Sequence, residues 1–136
     1  MENVYKILSE NKLKATPQRM FVYSLLVKSN KHLSAEEIYG KVKKSMPAIS
    51  FATVYAILRS FKEAGIVKEL RIDFERSFFE SRLDEHHHFY CEKCENIYDV
   101  DIPLCCALEN KEIDGHKIKE FEGYFHGICK KCNRNL

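Results

Sequence analysis

The sequence predicts an α+β protein in two parts, and three features of its 136 residues carry that prediction. Apolar residues recur at helical spacing, with capping residues ahead of them, from the start of the chain to about Gly65; shorter alternating segments follow. Charge divides in the same way: up to Glu80 there are 14 basic and 9 acidic residues, a balance of +5, against 8 and 11 afterwards, a balance of −3. All six cysteines and five of the six histidines lie beyond Glu80. A basic first part favours a polyanion such as DNA, whereas an acidic part rich in Cys and His favours cations.

In the first part, Val4, Ile7 and Leu8, with Leu13, mark a short amphipathic helix ending near Asn11 and Lys12. Thr16-Pro17 reads as an N-cap followed by proline at the first helical position, where its missing N–H costs nothing. The second helix is expected from Pro17 to about Lys28, burying Met20, Phe21, Leu25 and Val27, with His32 in the loop after it. Ser34-Ala35-Glu36-Glu37 is a capping box that opens a third helix with Ile38, Tyr39 and Val42 inward, and Pro47 stops it. Ser50 caps a fourth helix, which carries Phe51, Val54, Leu58 and Phe61 as its core stripe until Gly65 ends it. Its opposite stripe presents Thr53, Ala56, Arg59 and Ser60, a face that suits a major groove and equally a plain solvated surface. Strands at Val67 to Leu70 and Phe78 to Phe79, around a turn at Asp73-Phe74-Glu75, complete helices followed by a hairpin, the winged variant of helix-turn-helix. Thr53, Tyr55 and Arg59 are the candidate DNA contacts of the fourth helix; Arg19, Lys68, Arg71 and Arg76 are candidate phosphate contacts.

The second part begins with metal-ligand spacing. Cys91 and Cys94 form one CxxC pair and Cys129 and Cys132 another, four thiolates in the pairwise arrangement of tetrahedral zinc. Two disulfides are the alternative, disfavoured because the chain opens with no basic-then-apolar leader and reads as cytoplasmic. His86 and His88 stand two apart, so a strand would present both on one face with His87 turned away. Glu80 and Asp99 are oxygen donors nearby, and mixed imidazole and carboxylate ligation suits iron, manganese or zinc and permits reversible binding. After a hinge at 81–85, strands are expected at His86 to Tyr90, Ile97 to Ile102, His116 to Phe121 and Tyr124 to Ile128, with a helix from Pro103 to about Ile113. Cys105 and Cys106 lack metal-like spacing and read as small buried hydrophobes. The result is a small α/β domain with an edge on which another subunit can pair.

Composition excludes several classes. With 45% hydrophobic and 31% charged residues the chain is neither disordered nor membrane-spanning; its longest apolar run, Met20 to Val27, is far short of a span. A zinc-dependent enzyme is a remote alternative, because HExxH, HxE with PCxxC and a Gly-rich phosphate loop are all missing. A dithiol redox protein is the other, and would show reactive thiols rather than a held zinc.

Lys14-Ala15-Thr16-Pro17-Gln18-Arg19, His32, Ser34 to Tyr39, Ser50 to Tyr55, Gly65-Ile66-Val67, His86, His88, the two CxxC pairs and Asp99 together resemble the ferric uptake regulator family of bacterial metalloregulators. The resemblance spans nearly the whole chain and implies a winged-helix DNA-binding domain at 1–80, the hinge, and a metal-binding dimerisation domain at 86–136. It implies a homodimer that represses promoters when a sensing metal, ferrous iron or manganese, is bound. The sensing ligands it implies are His32, Glu80, His86, His88 and Asp99; Cys91, Cys94, Cys129 and Cys132 then hold structural zinc. Asp99 is similar to peroxide-sensing members, in which iron and hydrogen peroxide oxidise a histidine ligand, whereas Glu80 is more similar to iron-level regulators; peroxide sensing is the favoured expectation. Phe121 stands where many members carry a third-site histidine, so that site is expected to be absent or rebuilt from Glu85, His87, Glu120 or His126. Glu95 replaces a common glycine, which should alter a turn rather than a function.

Overall fold

The computed structural model describes residues 2–29, 32–71, 76–83, 87–100, 111–119 and 124–134. The chain divides into two units, Met1–Asp84 and Glu85–Leu136. The expected turn at 73–75, and Cys105, Cys106, His86 and Phe121, lie outside the described residues.

The first unit packs four helices, α1 (Glu2–Glu10), α2 (Pro17–Lys28), α3 (Ala35–Ser45) and α4 (Phe51–Glu63), with three short strands, β1 (Leu33–Ser34), β2 (Lys68–Leu70) and β3 (Phe78–Glu80). Three of the helix starts are capped as the sequence foretells. Thr16, Ser34 and Ser50 each accept a hydrogen bond from the backbone N–H three residues on, at 3.2, 3.1 and 3.1 Å. Helix α4 closes with Gly65 in the left-handed region, φ 78°, where Gly65 N–H reaches the Lys62 carbonyl and Ile66 N–H the Phe61 carbonyl. This is the Schellman pattern, which satisfies carbonyls the helix leaves open. Helix α1 ends in the same pattern but with Lys12 at the left-handed position, φ 61°.

Val4, Leu8, Val22, Leu26, Ile38, Val42, Val54, Leu58, Phe61 and Phe79 meet in one core. Each fully buried Leu or Phe contributes about 1.5–3 kcal/mol. Expected core positions on α2 and α4 are corrected. Val27 is half exposed, Met20, Phe21 and Leu25 are half-buried against the core, and α2 buries Val22, Tyr23 and Leu26 instead; apolar residues surround this helix almost completely, so spacing alone misplaces the inner stripe. Phe51 is exposed because it opens α4, and its ring packs on Tyr39 and Tyr55, centroids 5.6 and 6.2 Å away; Ile57 takes its place in the core. The sheet order is β1-β3-β2, all antiparallel. Strand β1, two residues long, is too short to carry a sequence pattern and was not expected. Three helices and this sheet make a winged helix-turn-helix.

In the second unit, β4 (His87–Cys91) is the centre of a three-stranded sheet, antiparallel to β5 (Ile97–Val100) and parallel to β8 (Tyr124–Gly127). A separate hairpin joins β6 (Glu112–Ile113) and β7 (His116–Lys117), and α5 (Lys130–Arg134) follows β8. The hairpin overturns the end of the expected helix: residues 101–110 lie outside the described part, but Glu112 and Ile113 are strand. Asp114-Gly115, with φ of 50° and 82°, forms a two-residue turn whose left-handed backbone matches strand twist, a stronger local signal than the helical reading allowed for. Among the described residues the following strand is also shorter than expected, stopping at Lys117.

Candidate metal centres and nucleic-acid face

The four cysteines of the CxxC pairs converge. Cys91 ends β4, Cys94 follows in the turn, Cys129 lies after β8, and Cys132 lies on α5. Parallel pairing places Gly127 opposite Cys91, which carries the second pair back to the first. All four Sγ atoms lie within 4.8 Å of one another, and those of Cys94 and Cys129 are 3.8 Å apart. A tetrahedron with metal–sulfur bonds of about 2.3 Å has edges of about 3.8 Å, so the donor set fits zinc. Glu95 completes the first knuckle with φ 60°, and its N–H binds the Cys91 carbonyl at 2.8 Å, so the expected change of turn is instead a left-handed position filled without glycine.

The surroundings of the sulfurs set their charge. Tyr98 donates to Cys129 Sγ at 3.5 Å and Cys132 N–H points to the same sulfur, which together pull the Cys129 thiol down to about 6. Cys132 is pushed up to about 12, chiefly by its hydrogen bond with Cys129 and then by burial. Burial works against ionisation of Cys91, but N–H groups of Cys94, Cys129 and Lys93 outweigh it and leave that thiol low. Donation to Cys129 and Cys94 keeps the Tyr98 proton in place well above the ordinary phenol range. Tyr98 was not foreseen, since nothing in its spacing marks a group brought to the sulfurs by strand register.

Histidine and carboxylate form a pair in each unit, and antiparallel register explains both. In the first unit Leu33 faces Phe79, so the preceding His32 meets the following Glu80; His32 Nε2 and Glu80 Oε2 are 2.6 Å apart, with side chains 5% and 7% exposed. In the second, His88 and Asp99 are direct partners across β4 and β5, and His88 Nε2 lies 3.7 Å from Asp99 Oδ1. His86, the fifth expected ligand, lies outside the described residues. Of the third-site candidates, Glu85 and Glu120 also lie outside them. His87 packs edge-on against Phe125 and His126 edge-on against Tyr90, on opposite faces of the β4–β8 pair, so these two imidazoles do not converge.

On α4, Arg59 is exposed, while Thr53 and Tyr55 are half-buried; Thr53 shares a 2.9 Å hydroxyl contact with Ser50. Arg19 donates to the Lys14 carbonyl at 3.0 Å, Lys68 is half-buried on β2, and Arg76 lies over the Phe78 ring at 5.1 Å. Arg71 and Lys62 both bind Glu69, at 2.8 and 3.1 Å, with Ser77 adding a third donor at 3.1 Å. Glu69, whose side chain is 6% exposed, was also missed by sequence reasoning. Burial raises its pKa, yet the bonds from Arg71, Lys62 and Ser77 prevail and hold it below the ordinary value.

A sequence model described as the ferric uptake regulator family matches residues 10–125. The chain belongs to the ferric uptake regulator family. Within this family it is 35% identical over 122 residues to the peroxide-responsive repressor PerR of Staphylococcus epidermidis, covering 88% of this chain and 81% of that protein. The ferric uptake regulator from Francisella tularensis with iron is 30% identical with a TM-score of 0.76, over 89% of this chain and 95% of the other. The Campylobacter jejuni peroxide stress regulator is 32% identical with a TM-score of 0.69, over 93% and 97%. Among the described residues no helix is long and apolar enough to cross a membrane.

Proposed function

We propose that this member of the ferric uptake regulator family is a metal-dependent DNA-binding repressor that senses hydrogen peroxide. The observation that carries the reading is the presence of a buried histidine facing a carboxylate in each unit, His32 with Glu80 and His88 with Asp99, apart from the four-cysteine centre. Cys91, Cys94, Cys129 and Cys132 hold structural zinc. The two His–carboxylate pairs, with His86, supply the regulatory site for ferrous iron or manganese, which suits a nitrogen and oxygen donor set. Ferrous iron supplies one-electron chemistry toward hydrogen peroxide that manganese does not.

The pairs come from different units, and ligation by both would restrict the angle between them. The protein acts as a homodimer, and its two α4 helices must meet successive major grooves roughly 34–36 Å apart. Thr53, Tyr55 and Arg59 face the bases, with Arg19, Lys68, Arg71 and Arg76 toward phosphates. Metal shifts the population toward the DNA-competent arrangement in proportion to its preference for that arrangement. Oxidation of His32 or His86 weakens ligation and releases DNA. Asp99 and the peroxide-responsive relatives support this reading; Glu80 and the iron-bound regulator of Francisella tularensis favour, as second reading, a response to iron level itself. The same family membership argues against an enzyme and for a protein of the cytoplasm.

The test is binding to the protein's own promoter region with ferrous iron or manganese, before and after a small dose of hydrogen peroxide, with mass spectrometry of peptides holding His32 and His86. Loss of DNA by the iron form alone, with oxygen gained on a histidine, is expected. Iron-dependent binding that survives peroxide establishes the second reading instead.

A further inference from the structure

One side chain touches sulfurs of both knuckles. The Tyr98 hydroxyl on β5 lies 3.5 Å from Cys129 Sγ and 3.7 Å from Cys94 Sγ, and those sulfurs are 3.8 Å apart. Thiolates offer only lone pairs, so the phenol is the donor, and its one proton is given to Cys129 Sγ and shared with Cys94 Sγ at the longer distance. Cys94 is the exposed member of the four, with Cys91 and Cys129 buried, and is therefore the sulfur that a small oxidant in solution meets first.

We propose that Tyr98 protects the structural zinc centre of a peroxide sensor from the peroxide it senses. The reaction to be resisted is attack of a thiolate on one oxygen of hydrogen peroxide. The O–O bond breaks, sulfur is oxidised to sulfenic acid, and the other oxygen leaves as hydroxide. A neighbouring thiolate then attacks the sulfenic sulfur, expels a second hydroxide and forms a disulfide, and zinc loses two ligands. A hydroxyl donating to the sulfur lone pairs competes with the first step, since hydrogen bonds around a metal ligand tune its reactivity. The biological purpose rests on the peroxide-sensing reading above; the chemistry at the sulfurs does not.

The experiment uses the full chain carrying zinc, with manganese added so that iron chemistry at the regulatory site does not contribute. Zinc release under hydrogen peroxide is followed with a metallochromic dye for the wild type, Tyr98→Phe and Tyr98→Leu. Both variants are expected to release zinc about ten- to a hundredfold faster than wild type, the scale of a lost hydrogen-bonding partner around a metal ligand. In the cobalt-substituted Tyr98→Phe protein, the sulfur-to-metal charge-transfer band is expected to shift while the tetrahedral d–d bands stay in place. Wild-type release by Tyr98→Phe, with only Tyr98→Leu faster, assigns the effect to ring packing and overturns the proposal. Should Tyr98→Phe retain no zinc, 3-fluorotyrosine at position 98 keeps the ring and strengthens the donor; slower release supports the proposal and unchanged or faster release overturns it. DNA release from the iron-loaded protein, assayed separately, shows whether the peroxide-sensing reading fails on its own.

Discussion

Lys12 adopts a conformation that L residues avoid, φ 61° at the end of α1, and it is exposed. A side chain in this region costs about 1–2 kcal/mol, part of which glycine would lose again as backbone entropy in the unfolded chain. Lys12→Gly should therefore stabilise the first unit by about 0.5–1 kcal/mol, read as an upward shift of the urea midpoint. At the sulfurs, the Cys129 thiol is pulled down to about 6, chiefly by the Tyr98 hydroxyl, whereas the Cys132 thiol is pushed up to about 12 by its bond with Cys129. Zinc must displace the Cys132 proton, so affinity should still rise with pH between about 6.5 and 8.5, at least tenfold per unit, in competition with a chelator. A flat profile would mean that all four thiols ionise before zinc arrives.

Glu69 ties the end of α4 to both strands of the hairpin, through Lys62, Arg71 and Ser77. Its folded pKa lies below the ordinary 4.5, so its contribution is present above that value and is lost as pH falls through the lower folded one. Glu69→Gln should cost about 1–2 kcal/mol at pH 7 and much less near pH 3, by denaturant titration at each pH. The same elements show what a sequence discloses. Caps at Thr16, Ser34 and Ser50 depend on neighbours three residues away and were legible; so were the CxxC pairs. The inner stripe of α2, strand β1 and the Asp114-Gly115 hairpin were not, because they depend on packing from all sides, on a partner strand, or on which of two local signals prevails. The pairing of His88 with Asp99, and Tyr98 with the sulfurs, follows from register between strands, which residue types do not reveal. On the DNA face, Arg59→Ala should lower affinity and relax sequence preference, whereas Lys68→Ala should weaken all sequences alike and reduce the salt slope by about one.

For the molecule as a whole, the proposed regulation requires ligands from both units to act together. Replacing one member should uncouple metal from DNA while leaving the four-cysteine centre intact. His32→Ala and Asp99→Ala are each expected to keep one zinc per chain, yet to lose about 5–150-fold of the DNA affinity gained on adding manganese, the range of typical coupling energies. Fluorescence anisotropy with and without the metal measures that ratio. Retention of the full gain by both variants would show that repression is controlled elsewhere.

The parallel pairing of β4 with β8 also has a consequence in time. Cys129 is made 38 residues after Cys91, and the sheet that holds the first knuckle against the second lacks a strand until then. A ribosome adding about 5–20 residues per second leaves Cys91 and Cys94 without their partners for roughly 2–8 s, aside from the delay before the last residues clear the exit tunnel. Newly made chains thus carry half of the zinc centre open in a way that finished ones do not.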